Sequence, residues 1–122
     1  MATIFDPTSG LLSEMIRATA VRHRILASNL ANVETPGYEA QEVAFHKLLA
    51  EAQGQPAGRP AAPPGIRPVV RADPDGVSRR DGNTVDLDRQ MVKMAENTLW
   101  HNGLVQILAQ RLNVMKAAIK GQ

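Results

Sequence analysis

Three histidines, twelve acidic residues and no cysteine are the raw material for chemistry in this 122-residue chain. Without cysteine there is no disulfide framework, no thiolate metal site and no cysteine nucleophile. His23, His46 and His101 include no His-x-x-x-His pair, and His46 stands apart in pattern from the other two, so no metal set emerges. Asp73, Asp75 and Asp81 resemble a calcium loop only loosely, because Gly76 comes too early and no Glu follows at the right distance; solvated turns are the better reading. No nucleophile-and-base pair, glycine-rich phosphate loop or paired-carboxylate pocket is present. The chain therefore reads as no enzyme, with no catalytic residue, no cofactor and no small-molecule substrate. Arg17, Arg22 and Arg24 suit a solvated helix face, and a net charge of +2 makes no basic stripe, so a nucleic-acid partner is unsupported.

What remains is architecture. The length allows one domain, spanning residues 1–122. Apolar residues make up 43% of it, yet Phe5, Tyr38, Phe45 and Trp100 are the only aromatics, so the core must be aliphatic and suits helix-on-helix packing. No apolar run of about 20 residues could span a bilayer, and the basic-then-apolar pattern of a cleaved secretory signal is missing from the start of the chain.

A first helix is expected over 6–33. Asp6, Thr8 or Ser9 can cap it, Pro7 fits its first turn, and Pro36-Gly37 stops it near Asn32 or Val33. Its apolar line steps by four and three through Leu12, Ile16, Thr19, His23, Leu26, Leu30 and Val33. Residues 34–83 form a turn, a short helix from about Glu42 to Gln53 built on Val43, Phe45, Leu48, Leu49 and Ala52, and an irregular stretch. Ten of the seventeen Pro and Gly residues lie between Gly54 and Gly76, which suits an extended segment, with Ile66, Val69 and Val70 suiting a brief strand.

The last helix is expected over 84–120, capped by Thr84 or Asp86, with Asp86 and Asp88 at its positive end and Arg111, Lys116 and Lys120 toward its negative end. Its heptad seam reads Leu87, Met91, Met94, Thr98, His101, Val105, Leu108, Leu112, Met115 and Ile119, facing Leu12, Ile16, Leu26 and Leu30 of the first helix. His23 and His101, near Thr19 and Thr98, could form a polar layer that fixes register, but the better reading is the edge of the seam with one nitrogen in water. A second apolar line, Trp100, Leu104, Ile107 and Val114, widens the face beyond what one partner helix covers and points to assembly. The expected fold is all-α: long N- and C-terminal helices paired as an antiparallel coiled-coil hairpin, with a short helix and an irregular Pro/Gly-rich middle.

The segment ASNLANVETPGYEA, residues 27–40, resembles the signature of flagellar basal-body rod and hook proteins, through Asn29, Leu30, Ala31, Asn32, Thr35, Pro36, Gly37 and Tyr38. Glu34 is a departure, standing where many relatives carry other small or polar residues. DGNTVDLDRQMVKMAEN, residues 81–97, is similar to the start of the C-terminal helix in the proximal rod subunits of that family, and the short chain matches them better than the longer distal rod and hook proteins. The resemblance implies a structural subunit of the proximal rod, assembling helically to transmit torque from the membrane ring to the distal rod and hook. It implies export through the flagellar type III apparatus without a cleaved signal peptide, and residence in the periplasmic part of the basal body. Implied partners are other copies of the chain, other rod proteins, the ring-to-rod adapter and the membrane ring protein. A sister proximal rod subunit and a helical export chaperone are the alternatives.

Overall fold

The computed structural model describes residues 7–44 and 68–121. Two long helices, α1 (Pro7–Ala31) and α2 (Leu87–Lys120), are joined through two short strands, β1 (Gln41–Val43) and β2 (Val70–Ala72). Helix α1 starts on Pro7, whose fixed φ and missing N–H suit a first turn. It tightens at its end, where the Asn32 amide donates to the carbonyls of Ser28 and Asn29 and the Val33 amide to that of Leu30. Asp86 rather than Thr84 caps α2, its carboxylate accepting from the Arg89 amide at 3.2 Å. At the other end Gly121 adopts a left-handed φ of 70° and donates to the carbonyls of Ala117 and Ala118. The 34 residues between give a helix about 51 Å long, at about 1.5 Å per residue.

The helices run antiparallel, because Asn29 bonds Gln90 whereas Thr19, ten residues earlier, bonds Asn97 and His101. The other side of α1 carries Ala18, with Val21 and Ile25, against Val43 of β1. That strand pairs antiparallel with β2 in the register Gln41 to Ala72, Glu42 to Arg71 and Val43 to Val70. No helix among the described residues is long and apolar enough to cross a membrane.

Two sequence expectations change. The fold is mostly helical but not all-α, since the helix expected from Glu42 is strand at Glu42 and Val43; its residues 45–53 lie outside the described residues. Tertiary pairing overrides the helical spacing there, because both β2 and the Asn29 side chain claim the backbone of β1. Of the brief strand expected on Ile66, Val69 and Val70, Ile66 lies outside the described residues, Val69 precedes the strand and Val70 opens β2.

The seam of α2 is also turned relative to the apolar heptad. Its buried residues are Gln90, Asn97 and Leu104, seven apart, and Met94, His101, Leu108, Arg111 and Met115 are half-buried between and beyond them. One expected line, Met94 to Met115, is retained. The other, Met91, Val105, Leu112 and Ile119, is exposed, as is Leu87, and as far as Arg111 its place is taken by the residue one position earlier in each heptad. The physical reason is that Gln90 Oε1 and Asn97 Nδ2 hydrogen-bond across to α1, which offsets part of the penalty that would keep polar groups out. On α1, Leu12, Thr19 and Leu26 are buried as a heptad line, while Ile16 and Leu30 are half-buried and His23 is exposed.

Candidate functional site

The segments that carry the rod-protein resemblance are far apart in sequence and interlocked in space. At the end of α1 the backbone turns through Thr35, Pro36 and Gly37, and the loop 81–84 closes on that turn. The Gly37 amide donates to the Asp81 carbonyl at 2.9 Å, the Thr84 amide to the Tyr38 carbonyl at 3.0 Å, and the Ala40 amide to Thr84 Oγ1 at 2.8 Å. Asn83, fully buried, is the pin. Its Nδ2 lies 2.9, 3.1 and 2.8 Å from the carbonyl oxygens of Asn32, Val33 and Thr35, and its Oδ1 accepts from the Val85 amide at 2.7 Å. These carbonyls follow Ala31, the last residue of α1, so a side chain from residue 83 fastens the turn that leaves the helix, where the Asn32 carbonyl also accepts from the Thr35 amide. The Arg79 guanidinium also donates to the Val33 carbonyl.

Glycine is required at two places in this clasp. Gly37 has φ of 71° and Gly82 has φ of 81°, both left-handed, and a Cβ on Gly82 would lie 3.5 Å from the Gly37 Cα. A Cβ on Gly37 would meet nothing within 4 Å, so the cost of substitution there is backbone strain alone. Gly37→Ala should cost about 1 kcal/mol and Gly37→Val about 2 kcal/mol or more, because left-handed backbone disfavours β-branched residues most. Urea titration of the two variants measures this, and a Val variant as stable as the parent would remove the requirement.

Asn29 ties the motif to the rest of the fold. Its amide meets β1 as a strand would: Nδ2 donates to the Gln41 carbonyl at 2.8 Å and Oδ1 accepts from the Gln41 amide at 3.0 Å. The second Nδ2 proton reaches Gln90 Oε1 at 3.0 Å, and the Tyr38 hydroxyl donates to Oδ1 at 3.3 Å. Asn32 is more local, with Nδ2 on the Ser28 carbonyl at 2.8 Å and Oδ1 accepting from the Thr35 hydroxyl at 3.1 Å. Ala31, Thr35, Pro36 and Gly37 are exposed, and Leu30 and Tyr38 are half-buried.

Beside the clasp, Asp73 is no solvated turn residue. Its side chain is 2% exposed and meets Lys93 Nζ at 2.8 Å, with Glu42 at 3.8 Å from the same ammonium and Arg71 at 3.3 Å from Glu42. Burial pushes the Asp73 carboxyl up, but the Lys93 hydrogen bond, the Asp75 amide and the charges of Lys93 and Arg89 together hold it below its ordinary 3.8. A depressed carboxyl stabilises the fold above its unfolded pKa and loses that contribution as pH falls through the lower, folded value. Melting temperature should therefore drop below about pH 4, and Asp73→Asn should flatten that acid limb. Superimposable acid limbs for the two proteins would contradict this.

The outer line divides. Leu104 is 5% exposed, whereas Trp100, Ile107 and Val114 are open to solvent. A shallow apolar groove runs along α2 between Leu99, Trp100, Leu104 and Ile107, floored by Gly103. Among the described residues no three His, Asp or Glu side chains converge on a metal position.

Sequence reasoning missed Asn83, Gln90, Asn97 and the Asp73–Lys93 pair. The signal for Gln90 and Asn97 was present, since they lie seven apart in line with Leu104, but a pattern read on apolar residues passes over it. Asn83 had only its place in the DGNT stretch to mark it.

No family model matches the chain. Whole proteins do. It is 32% identical over 131 aligned positions to the flagellar basal body rod protein FlgB of Cereibacter sphaeroides (strain ATCC 17029), covering 98% of this chain and 99% of that one. It is 27% identical to FlgB of Aeromonas hydrophila over 100% of this chain and 99% of the other, and 25% identical to FlgB of Bacillus subtilis (strain 168) over 98% of each. With likeness running the full length of both partners, and the two motif segments fastened to each other in the fold, the chain belongs to the FlgB family of flagellar basal body rod proteins.

Proposed function

We propose that this chain is a structural subunit of the flagellar basal-body rod, at its proximal end, and that its mechanism is assembly. The observation that carries the reading is the end-to-end likeness to FlgB proteins, which favours it over a sister rod subunit or an export chaperone. The surface agrees with such a role. Val92, Leu99, Trp100, Ile107, Val114 and Ile119 of α2 are between 48 and 81% exposed, more apolar surface than a thin two-helix unit gains by leaving wet. In the rod that surface packs against other copies, other rod proteins, the ring-to-rod adapter and the membrane ring protein. The paired helices act there as one antiparallel coiled coil and pass torque toward the distal rod and hook. Leu87, Met91, Val105, Leu112 and Ile119, which face away from α1, serve subunit contacts in this scheme, together with Trp100, Ile107 and Val114. The chain reaches the periplasmic rod through the flagellar type III export apparatus without a cleaved signal. No catalysis is involved.

Deletion of the coding sequence in its own bacterium should leave cells non-motile, with membrane rings but no rod. A tagged copy should restore swimming and purify with basal bodies only when the flagellar export apparatus is intact. Complete rods in the deletion strain, or basal bodies free of the tagged protein, would overturn the assignment.

A further inference from the structure

The largest side chains with less than 2% exposure are Gln90, Asn29, Asn83, Asn97 and Thr19, and every one is polar. Meanwhile Met91 is 57% exposed and Val105 42%, although an apolar heptad would bury them. The helix pair has thus placed amides where aliphatic groups were available. Two polar layers result. In one, Asn29 Nδ2 donates to Gln90 Oε1 at 3.0 Å. In the other, Asn97 Nδ2 donates to the Thr19 carbonyl at 2.9 Å, and Thr19 Oγ1 lies 2.8 Å from His101 Nδ1. The Thr19 hydroxyl donates to the Ile16 carbonyl at 2.7 Å, so its single proton is used and the His101 Nδ1–H is the donor of the shared bond. The second layer is not optimised for stability: Asn97 Oδ1 is buried without a donor among the described residues.

We propose that these two layers, Asn29–Gln90 and Thr19–Asn97–His101, are specificity determinants that fix the helix α2 pairs with and the register in which it does so. Apolar layers cannot. Leu12 and Leu26 would meet Met94, Leu108 or Met115 almost equally well after α2 slides by one heptad, since all are flexible or branched aliphatics of similar volume. The polar groups are unequally spaced, ten residues between Thr19 and Asn29 but seven between Gln90 and Asn97. A one-heptad slide that brings Asn97 to Asn29 sets Thr19 against Leu104 and Leu108 and leaves Gln90 without Asn29. Only one register satisfies both layers, and the mispaired ones bury amides without partners. In a polymer where each α2 lies among helices with similar apolar faces, the same rule tells a chain's own α1 from a neighbour's; that clause rests on the rod reading, and the register claim does not.

The absence of cysteine in the parent allows paired spin labels to be placed uniquely, on Ala20→Cys in α1 and Asn102→Cys in α2, both exposed. Pulsed dipolar spectroscopy on the purified full chain should give one narrow distance. In the Gln90→Leu/Asn97→Leu background, helical content by circular dichroism should be retained and the melting temperature unchanged or raised. The distance should then broaden or gain a second, longer population, because one heptad carries the α2 label roughly 10 Å along the helix axis at about 1.5 Å per residue; exchange of α2 between two chains, seen as a dimer with intermolecular coupling, supports the proposal equally. A single unshifted intramolecular distance in the Leu variant overturns it. So does loss of helical content, which would make the amides necessary for folding rather than for choosing a register.

Discussion

Replacing Asn83 by Asp should destabilise the protein by roughly 3–5 kcal/mol, the range for a buried charge without a partner, although the side chain barely changes in size. The amide nitrogen donates toward three carbonyl oxygens at 2.8 to 3.1 Å; a carboxylate would present a negative oxygen to the same three dipoles. Protonation relieves the repulsion only by raising the carboxyl pKa, which itself costs about 1.4 kcal/mol per unit at neutral pH. Domains of this size are stable by about 5–15 kcal/mol, so the variant should be largely unfolded well below the parent's melting temperature. Loss of the Gly37 and Thr84 backbone bonds should follow, because the turn and the loop are held to each other at this pin. Hydrogen exchange reads the effect directly, as fast exchange at those two amides. An Asn83→Asp variant within 1 kcal/mol of the parent, a shift small against the range above, would mean that the clasp is held elsewhere.

Leu104→Asp and Val114→Asp should separate folding from assembly. Leu104 is the most buried apolar residue of α2, 5% exposed, so an unpaired carboxylate there should cost several kcal/mol and abolish the helix pair. Val114 is 65% exposed, and the same substitution should shift stability by no more than about 0.5 kcal/mol. Both variants should leave cells non-motile, the first because the subunit does not fold and the second because a folded subunit no longer packs in the rod. Melting curves of the purified proteins beside swim-plate assays make the comparison. Full swimming by the Val114 variant would remove that face of α2 from the assembly.

The elements that punctuation specifies were legible in the sequence. Pro7, Pro36-Gly37 and Asp86 act on their own neighbours, and the observed bounds of α1 and α2 fall within a few residues of those expected. One line of each seam was legible too, Leu12 and Leu26 on α1 and Met94, Leu108 and Met115 on α2, because apolar residues mark it. Where the reading failed, the deciding partner was distant. Gln90 looks like a surface residue until Asn29 is beside it, and Leu104, placed with Trp100 and Ile107 by spacing, turns inward because Gln90 and Asn97 set the rotation of the helix. The strand at Gln41–Val43 has helical spacing in its surroundings and becomes strand only because β2 and the Asn29 amide meet its backbone. Local signals carry element ends; pairings between residues far apart in the chain do not show in a pattern of hydropathy.

The clasp and the paired helices have a bearing on what the chain can carry. The hydrogen bonds described above fasten residues 7–44 to residues 68–121, at the turn 35–38 and along α1 and α2. For a span that joins two such stretches, doubling its length adds only about 0.6 kcal/mol of closure cost. A frame fastened in this way from both sides of a chain span tolerates changes in the length of that span at little cost in closure entropy.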